Sequence, residues 1–165
     1  MLAPAYGAGE LSNRRAPGFS LPDSTLKQYD VQDFRGKIVL IDFMMTNCPH
    51  CQAFSKILEQ IKARFGDSVM ILSVVNYASD NASTVAEYIK TNHVSVPVLF
   101  DCGQMAASYL KLTSSRRSID LPHVFLIDRR GIIRNDYANT EANKAIFEGA
   151  ALSFEIERML APKDK

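Results

Sequence analysis

The stretch that decides the fold is residues 37–51, KIVLIDFMMTNCPHC. Its first nine residues form a nearly continuous apolar run, which predicts a strand buried on both faces. Pro49 then stands where the first turn of a helix tolerates proline. Apolar residues follow at helical spacing as far as Gly66, a residue type that commonly ends helices. The two cysteines therefore lie where a buried strand passes into an amphipathic helix.

Strand and helix signals alternate on either side of this stretch. Further strands are predicted at Phe19–Leu21, Val69–Val75 and Val96–Phe100, and further helices at Val31–Phe34, Ser83–Asn92 and Gln104–Leu112. Apolar runs at Val124–Ile127 and Ile132-Ile133 flank a short loop that ends in glycine, which is typical of a β-hairpin. Thr140 is predicted to cap one last helix that runs as far as Leu160. From residue 37 onward, the order β-α-β-α-β-α-β-β-α predicts an α/β fold with a mixed central sheet flanked by helices.

Length and composition indicate one domain without a scaffold of disulfides. The chain has 165 residues, only 3 cysteines and a formal net charge of +1. The near-zero charge gives no support for a nucleic-acid partner. Residues 1–15 are rich in Ala, Gly and Pro without periodicity, so we expect a flexible arm followed by a folded domain over 16–165. No apolar run approaches the roughly 20 residues of a membrane helix, and the first residues do not have the pattern of a signal peptide.

The Cys48–Cys51 pair suggests redox chemistry. Two thiols three positions apart at a helix start are within reach of a disulfide. The first one faces the unpaired N–H groups and the positive end of the helix dipole, which favour the thiolate. We therefore expect Cys48 to be an exposed nucleophile and Cys51, one turn further on, to be a more buried resolving thiol.

The residues between the cysteines should tune the acidity of the pair. Pro49 rigidifies the turn, and His50 adds a donor beside Cys48. A stabilised thiolate makes the corresponding disulfide a better oxidant, which favours disulfide donation or shuffling. Two alternatives stay open: half of a zinc site, although no second CxxC exists, and a structural disulfide that does not turn over.

Beyond this pair, several segments match a known family. Residues 16–23 (APGFSLPD), 33–37 (DFRGK), 38–43, 48–51 (CPHC) and 122–128 (PHVFLID) resemble the redoxin branch of the thioredoxin superfamily, in particular the TlpA/ResA-like proteins. The resemblance implies a thioredoxin fold with an N-terminal extension and a central insert. It also implies a thiol–disulfide oxidoreductase that needs no cofactor other than its redox-active disulfide.

The resemblance also implies roles for individual residues. Cys48 matches the attacking cysteine and Cys51 the resolving one. Pro122 matches the proline that the superfamily holds in cis opposite the dithiol, and Leu121 before it would offer backbone contacts to a substrate strand. Asp42 matches the buried acid of thioredoxins, which would accept the Cys51 proton.

The same family suggests partners and a compartment. The expected partners are protein thiols or disulfides and an upstream redox protein, and the chain is expected to be a monomer. An extracytoplasmic bacterial location is expected, with membrane contact only through an N-terminal anchor that has been removed; a cytoplasmic location is the alternative. The family pattern is broken by Asn47, where a Trp is usual, and by Phe54, where ResA-like proteins place an acid.

Two rival functions complete the expectations. A non-catalytic binding domain would keep the dithiol as a staple. A peroxiredoxin-type peroxidase requires Thr or Ser three positions before its reactive cysteine, where this chain has Met45.

Overall fold

The computed structural model describes residues 9–76, 78–117 and 119–162 of the chain. Within these ranges the strands are β1 (Arg14–Arg15), β2 (Ser20–Pro22), β3 (Gln28–Asp30), β4 (Ile38–Phe43), β5 (Val69–Asn76), β6 (Val98–Asp101), β7 (His123–Ile127) and β8 (Ile132–Ala138). The helices are α1 (Pro49–Phe65), α2 (Ala82–Asn92), α3 (Gln104–Leu110), α4 (Lys144–Phe147) and α5 (Ala150–Leu160), with 3-10 turns at Val31–Phe34, Gly66–Ser68 and Glu141–Asn143. No helix in the described part of the chain is long and apolar enough to cross a membrane.

A mixed six-stranded sheet forms the centre of the molecule, in the order β1-β8-β7-β4-β5-β6. Strand β4 lies in the middle, parallel to β5 and antiparallel to β7. All six of its residues are buried, as the apolar run predicted. The predicted mixed sheet, the hairpin of β7 and β8 and the helix after Cys48 are confirmed.

Two apolar clusters cover the two faces of the sheet, because successive strand residues point to opposite sides. On one face, Ile38 and Leu40 pack with α1, α2, α4 and α5; we call this the helix face. On the other, Val39, Ile41 and Phe43 pack with β3 and α3; we call this the hairpin face.

The last helix differs from the prediction. The expected single helix is divided into α4 and α5, which are separated by Gly149 with φ +97°. Glycine adopts this backbone conformation at little cost. A side chain there would also meet Ile57 of α1, since an added Cβ would lie 2.9 Å from its Cγ2 atom. The Thr140 side chain makes no capping hydrogen bond, so the predicted cap is wrong as well.

The N-terminal segment also differs from the flexible arm that was expected. Arg14 and Arg15 pair with Ile133 and Ile132 of β8, and Leu11 is 2% exposed in the cluster of the hairpin face. A strand of two residues has no periodicity that a sequence pattern can detect. Residues 1–8 lie outside the described residues, and the domain boundary itself stays a prediction.

Strand register places three chain segments at one end of the sheet. Phe43, the last residue of β4, lies opposite His123, the first of β7. His123 in turn lies opposite Ala138, the last residue of β8. The segment that leads to Cys48, the segment that enters β7 and the segment that leaves β8 therefore meet at this end.

Candidate active site

Cys48 occupies the N-cap of α1. Its Sγ accepts a hydrogen bond from the Cys51 N–H at 3.3 Å, and Pro49 follows in the first turn. Because the first N–H groups of a helix have no partner within it, a sulfur at this position faces donors and the positive end of the dipole. Cys48 is half-buried, while Pro49 and His50 are exposed, so the sulfur lies at the protein surface.

Cys51 lies one turn further on and is 1% exposed. Burial raises the pKa of its thiol well above the usual range, and both the hydrogen bond with the Cys48 side chain and the charge of Asp42 act in the same direction. The two cysteines are free thiols in this structure. One is accessible and the other hard to ionise, and this asymmetry matches the attacking and resolving assignments.

Asp42 lies on the helix face of the central strand, beneath the dithiol. Ser73 Oγ donates a hydrogen bond to its Oδ2 at 3.2 Å, while Oδ1 has no partner among the described residues. Burial raises the pKa of this carboxyl to about 7, against its ordinary 3.8. A carboxyl that titrates near neutrality next to a thiol that ionises with difficulty is suited to take the thiol's proton.

A second buried aspartate, which the sequence analysis missed, holds the turn before Cys48. Asp80 is 3% exposed and accepts hydrogen bonds from the Thr46 hydroxyl and, at 3.4 Å, from the Thr46 N–H. Gln52 Nε2 donates to the Thr46 carbonyl at 2.8 Å. Asp80 precedes a helix that starts with an asparagine cap, so its local pattern resembles any helix start and gives no hint of this contact.

The segment that enters β7 has the predicted conformation. The Leu121–Pro122 peptide is cis, whereas the structure gives no such bond at Pro97. Leu121 and Pro122 are the residues for which the family resemblance implied substrate contacts, and this role stays a prediction. The next residue, His123, is buried on the hairpin face, where its ring stacks on Phe125 with 4.9 Å between centroids.

A groove of about 660 Å³ extends from the dithiol helix to the cis-proline. Its floor is apolar, formed by Phe54, Ile57 and Phe147, and the rings of Phe54 and Phe147 meet edge to face at 5.0 Å. Polar and charged side chains form its rim: His50, Asn139, Thr140, Glu141, Lys144 and Glu148. The groove is open at the same end of the sheet as Cys48, so a peptide attached to that sulfur has an apolar surface beside it.

Comparisons with known proteins agree with this geometry. The chain is similar to the thioredoxin-like protein YneN of Bacillus subtilis, with 25% identity over 138 residues, 82% of this chain and 76% of that one. It is 22% identical over 135 residues to the thiol-disulfide oxidoreductase ResA of Bacillus thuringiensis, covering 82% of this chain and 74% of the relative.

Solved structures show the same fold. A Chlorobium tepidum protein with the proposed identity of thiol:disulfide interchange protein DsbE superposes with a TM-score of 0.74 at 21% identity. The match covers 91% of this chain and 98% of that structure. The expected thioredoxin fold is therefore confirmed. The AhpC/TSA family profile matches residues 12–136, which include the dithiol, Asp42 and the cis-proline, and the chain belongs to this family.

Proposed function

We propose that the protein is a thiol–disulfide oxidoreductase that exchanges its Cys48–Cys51 pair with protein substrates through a mixed disulfide. The observation that carries the proposal is the asymmetry of the pair: Cys48 is accessible at a helix N-cap, whereas Cys51 is buried above a carboxyl with a raised pKa. The relatives named as thiol-disulfide oxidoreductases support the same function.

The exchange proceeds in two steps, written here for a substrate disulfide. The Cys48 thiolate attacks one substrate sulfur, the substrate S–S bond breaks, and the other substrate sulfur leaves as a thiolate. Cys51 then gives its proton to Asp42, and its thiolate attacks Cys48 Sγ. The Cys48–Cys51 disulfide forms, the second substrate thiolate leaves, and two electrons have passed to the substrate. The reverse sequence oxidises a substrate dithiol.

The surrounding residues support these steps. Pro49 and His50 follow the attacking cysteine in the first turn of α1. Leu121 and Pro122 lie where a substrate strand would pass. The partners are protein thiols or disulfides and an upstream redox protein that resets the pair. The proposed site of action is extracytoplasmic, a proposal supported by the similar fold of a secreted disulfide oxidoreductase of Mycobacterium tuberculosis.

The proposal is tested by insulin reduction and by oxidative refolding of a reduced substrate, for the wild type and for Cys48→Ser. Loss of both activities in Cys48→Ser is expected. Cys102→Ser is the matched control, because Cys102 is also a free cysteine at the surface but lies outside the dithiol. Equal activity of the wild type and Cys48→Ser would contradict the proposal and favour the alternative function, a non-catalytic binding domain.

A third variant tests the mixed disulfide. Cys51→Ser cannot resolve, so it should accumulate a covalent adduct with a substrate cysteine that thiol reductants release. Hydrogen peroxide consumption, measured on the same set, distinguishes the peroxidase alternative. Fast peroxide turnover without disulfide exchange would overturn the proposal.

A further inference from the structure

Asp80 is a buried carboxylate that none of the exchange steps uses, and it lies directly before α2 without being the cap of that helix. Asn81 is the cap: its side chain accepts hydrogen bonds from the N–H groups of Ser83 and Thr84. The Thr84 hydroxyl in turn accepts a hydrogen bond from the Asn81 N–H. Because these helix-start groups have their partners without Asp80, helix capping does not explain its carboxylate.

The carboxylate instead contacts Thr46, in the turn that leads to the attacking cysteine. Asp80 Oδ1 accepts hydrogen bonds from the Thr46 hydroxyl and, at 3.4 Å, from the Thr46 N–H. On the other side, Gln52 Nε2 donates to the Thr46 carbonyl at 2.8 Å. The N–H, the hydroxyl and the carbonyl of Thr46 therefore all have side-chain partners, one of them on α1 and the other just before α2.

This contact bears on the position of Cys48. The Cys48 N–H donates to the Met45 carbonyl at 3.2 Å, so Thr46 and Asn47 are the two central residues of a β-turn. Thr46 is buried and Asn47 is exposed, so Thr46 is the central residue that attaches the turn to the rest of the protein. Cys48 follows directly, and its place at the N-cap of α1 depends on where this turn lies.

We propose that Asp80 is a positioning residue for the dithiol: by holding Thr46 it fixes the turn that carries Cys48 and raises the effective concentration of Cys48 towards Cys51. Two groups that are already held close together lose less freedom when they react. Without the carboxylate the turn has more conformations in the dithiol form, so closing the disulfide costs more entropy. This inference rests on the proposed disulfide exchange.

The redox equilibrium with glutathione tests the proposal. Oxidised glutathione takes two electrons and two protons from the thiols of Cys48 and Cys51, the bond between their sulfurs forms, and two molecules of reduced glutathione leave. The equilibrium constant of this reaction measures the effective concentration of the pair. Asp80→Ala is expected to lower it about fivefold, which is the order of the net contribution of one hydrogen bond.

Asp80→Asn is the conservative variant and should stay within about twofold of the wild type. Its amide oxygen can take the place of Oδ1, and its amide nitrogen would lie beside the Ser79 hydroxyl, which is 3.4 Å from Oδ2. Loss of the same size in Asp80→Asn and Asp80→Ala would show that the contact with Thr46 is not the cause, and this would overturn the inference.

Asn81→Ala is the matched control, because it removes the cap of the same helix start and leaves the contact between Asp80 and Thr46 in place. Its equilibrium constant should equal that of the wild type. A fall as large as that of Asp80→Ala would assign the effect to the stability of α2 instead, and an unchanged constant in Asp80→Ala would also contradict the proposal.

Thr46→Val tests the same contact from its other side and keeps the shape of the side chain. Loss of the hydroxyl donor is expected to lower the equilibrium constant about threefold. The double variant with Asp80→Ala should fall no further than Asp80→Ala alone, because both changes remove one contact. Additive losses would overturn the inference. If Asp80→Ala does not fold, Thr46→Val decides alone: a threefold fall supports the proposal and an unchanged constant contradicts it.

The measurement needs no protein substrate, so it separates the two proposals. A wild type that equilibrates with glutathione but neither reduces insulin nor refolds a reduced protein would contradict the proposed function. Equal constants for the wild type, Asp80→Ala and Thr46→Val, with insulin reduction intact, would contradict the positioning role of Asp80.

Discussion

Two buried aspartates lie on opposite faces of the same sheet and behave in opposite ways. Asp42, on the helix face, has one hydrogen-bond donor, and burial raises its pKa to about 7. Asp136, on the hairpin face, is also buried. However, it accepts hydrogen bonds from the Ser12 hydroxyl and the Leu11 N–H and lies 3.6 Å from the Nε2 atom of His123.

The hydrogen-bond donors around each carboxyl decide whether its pKa is raised or lowered. Burial raises the pKa of Asp136, but the contacts with His123, Ser12 and Leu11 outweigh it and hold the pKa below its usual range. For Asp42 only the hydrogen bond from the Ser73 hydroxyl opposes burial, so burial dominates and the pKa is raised. A buried carboxyl with few hydrogen-bond donors can accept a proton near neutral pH. A buried carboxyl with several donors stays ionised and links the chain segments that donate to it.

The largest expected effect is a higher free energy of unfolding for Asp42→Asn than for the wild type at alkaline pH, with both proteins reduced. A carboxyl with a raised pKa makes the native state less stable as pH rises from about 4 to about 7, at about 1.4 kcal/mol per pH unit. The shift from 3.8 to about 7 therefore amounts to roughly 4 kcal/mol at pH 8. Asp42→Asn should be more stable than the wild type at pH 8 by up to this amount and similar to it at pH 4.

Urea unfolding across this pH range measures the difference. The ionisable side chains of Cys51 and Tyr88 face the same carboxyl, so Tyr88→Phe serves as a control that keeps the aspartate. Parallel stability curves for the wild type and Asp42→Asn would show that the carboxyl titrates normally.

The second prediction is a lower free energy of unfolding, for a substitution at Asp136. Asp136→Asn should lose about 3 kcal/mol of unfolding free energy at pH 7, because it removes a charge from a buried, hydrogen-bonded pair. The pKa of Asp136 is lower in the folded protein than in the unfolded chain. The stabilisation by its carboxylate is therefore fully present above about pH 4 and disappears as the pH falls through the pKa of the folded state. The deficit should therefore shrink in acid. A deficit that grows in acid would contradict the comparison.

Catalysis distinguishes the two aspartates more directly. Asp42→Asn should slow release of the mixed disulfide about a hundredfold, in the range for loss of a general base, with the defect shrinking at high pH. Asp136→Asn should release it at the wild-type rate. Quenched-flow trapping of the adduct measures both, and equal slowing in the two variants would remove the distinction.

The smallest effect concerns the N-terminal segment. Ser12→Ala removes one donor to Asp136, so a loss of about 1 kcal/mol is expected. Ser20→Ala is a control in the same region, because within the described residues the Ser20 hydroxyl makes only an exposed contact at 3.5 Å with Gln28. Thermal unfolding of both variants gives the comparison, and equal midpoints would show that the segment is not held through Ser12.

The sequence predicts the centre of this molecule better than its periphery. The Ile38–Phe43 strand and the helix after Cys48 are long and strongly patterned, so periodicity identifies them. The break at Gly149 was missed although the glycine is visible, because the apolar spacing continues across it. Two hydrogen bonds could not be predicted, one from the Ser12 hydroxyl to Asp136 and one from the Asn139 amide to the Leu121 carbonyl. Each joins residues that lie far apart in sequence. Such contacts depend on strand register, which the local sequence pattern does not encode.

The two edges of the central sheet affect how readily the protein can pair with another extended chain. The strand at one edge is β1, which consists of two arginines. The strand at the other edge is β6, which has four residues, and its Leu99 forms an isolated β-bridge with Asp23. Short, charged or covered margins resist the strand-to-strand growth that leads to aggregates. An extended chain that approaches the molecule therefore finds few free strand-edge groups with which it could lengthen the central sheet.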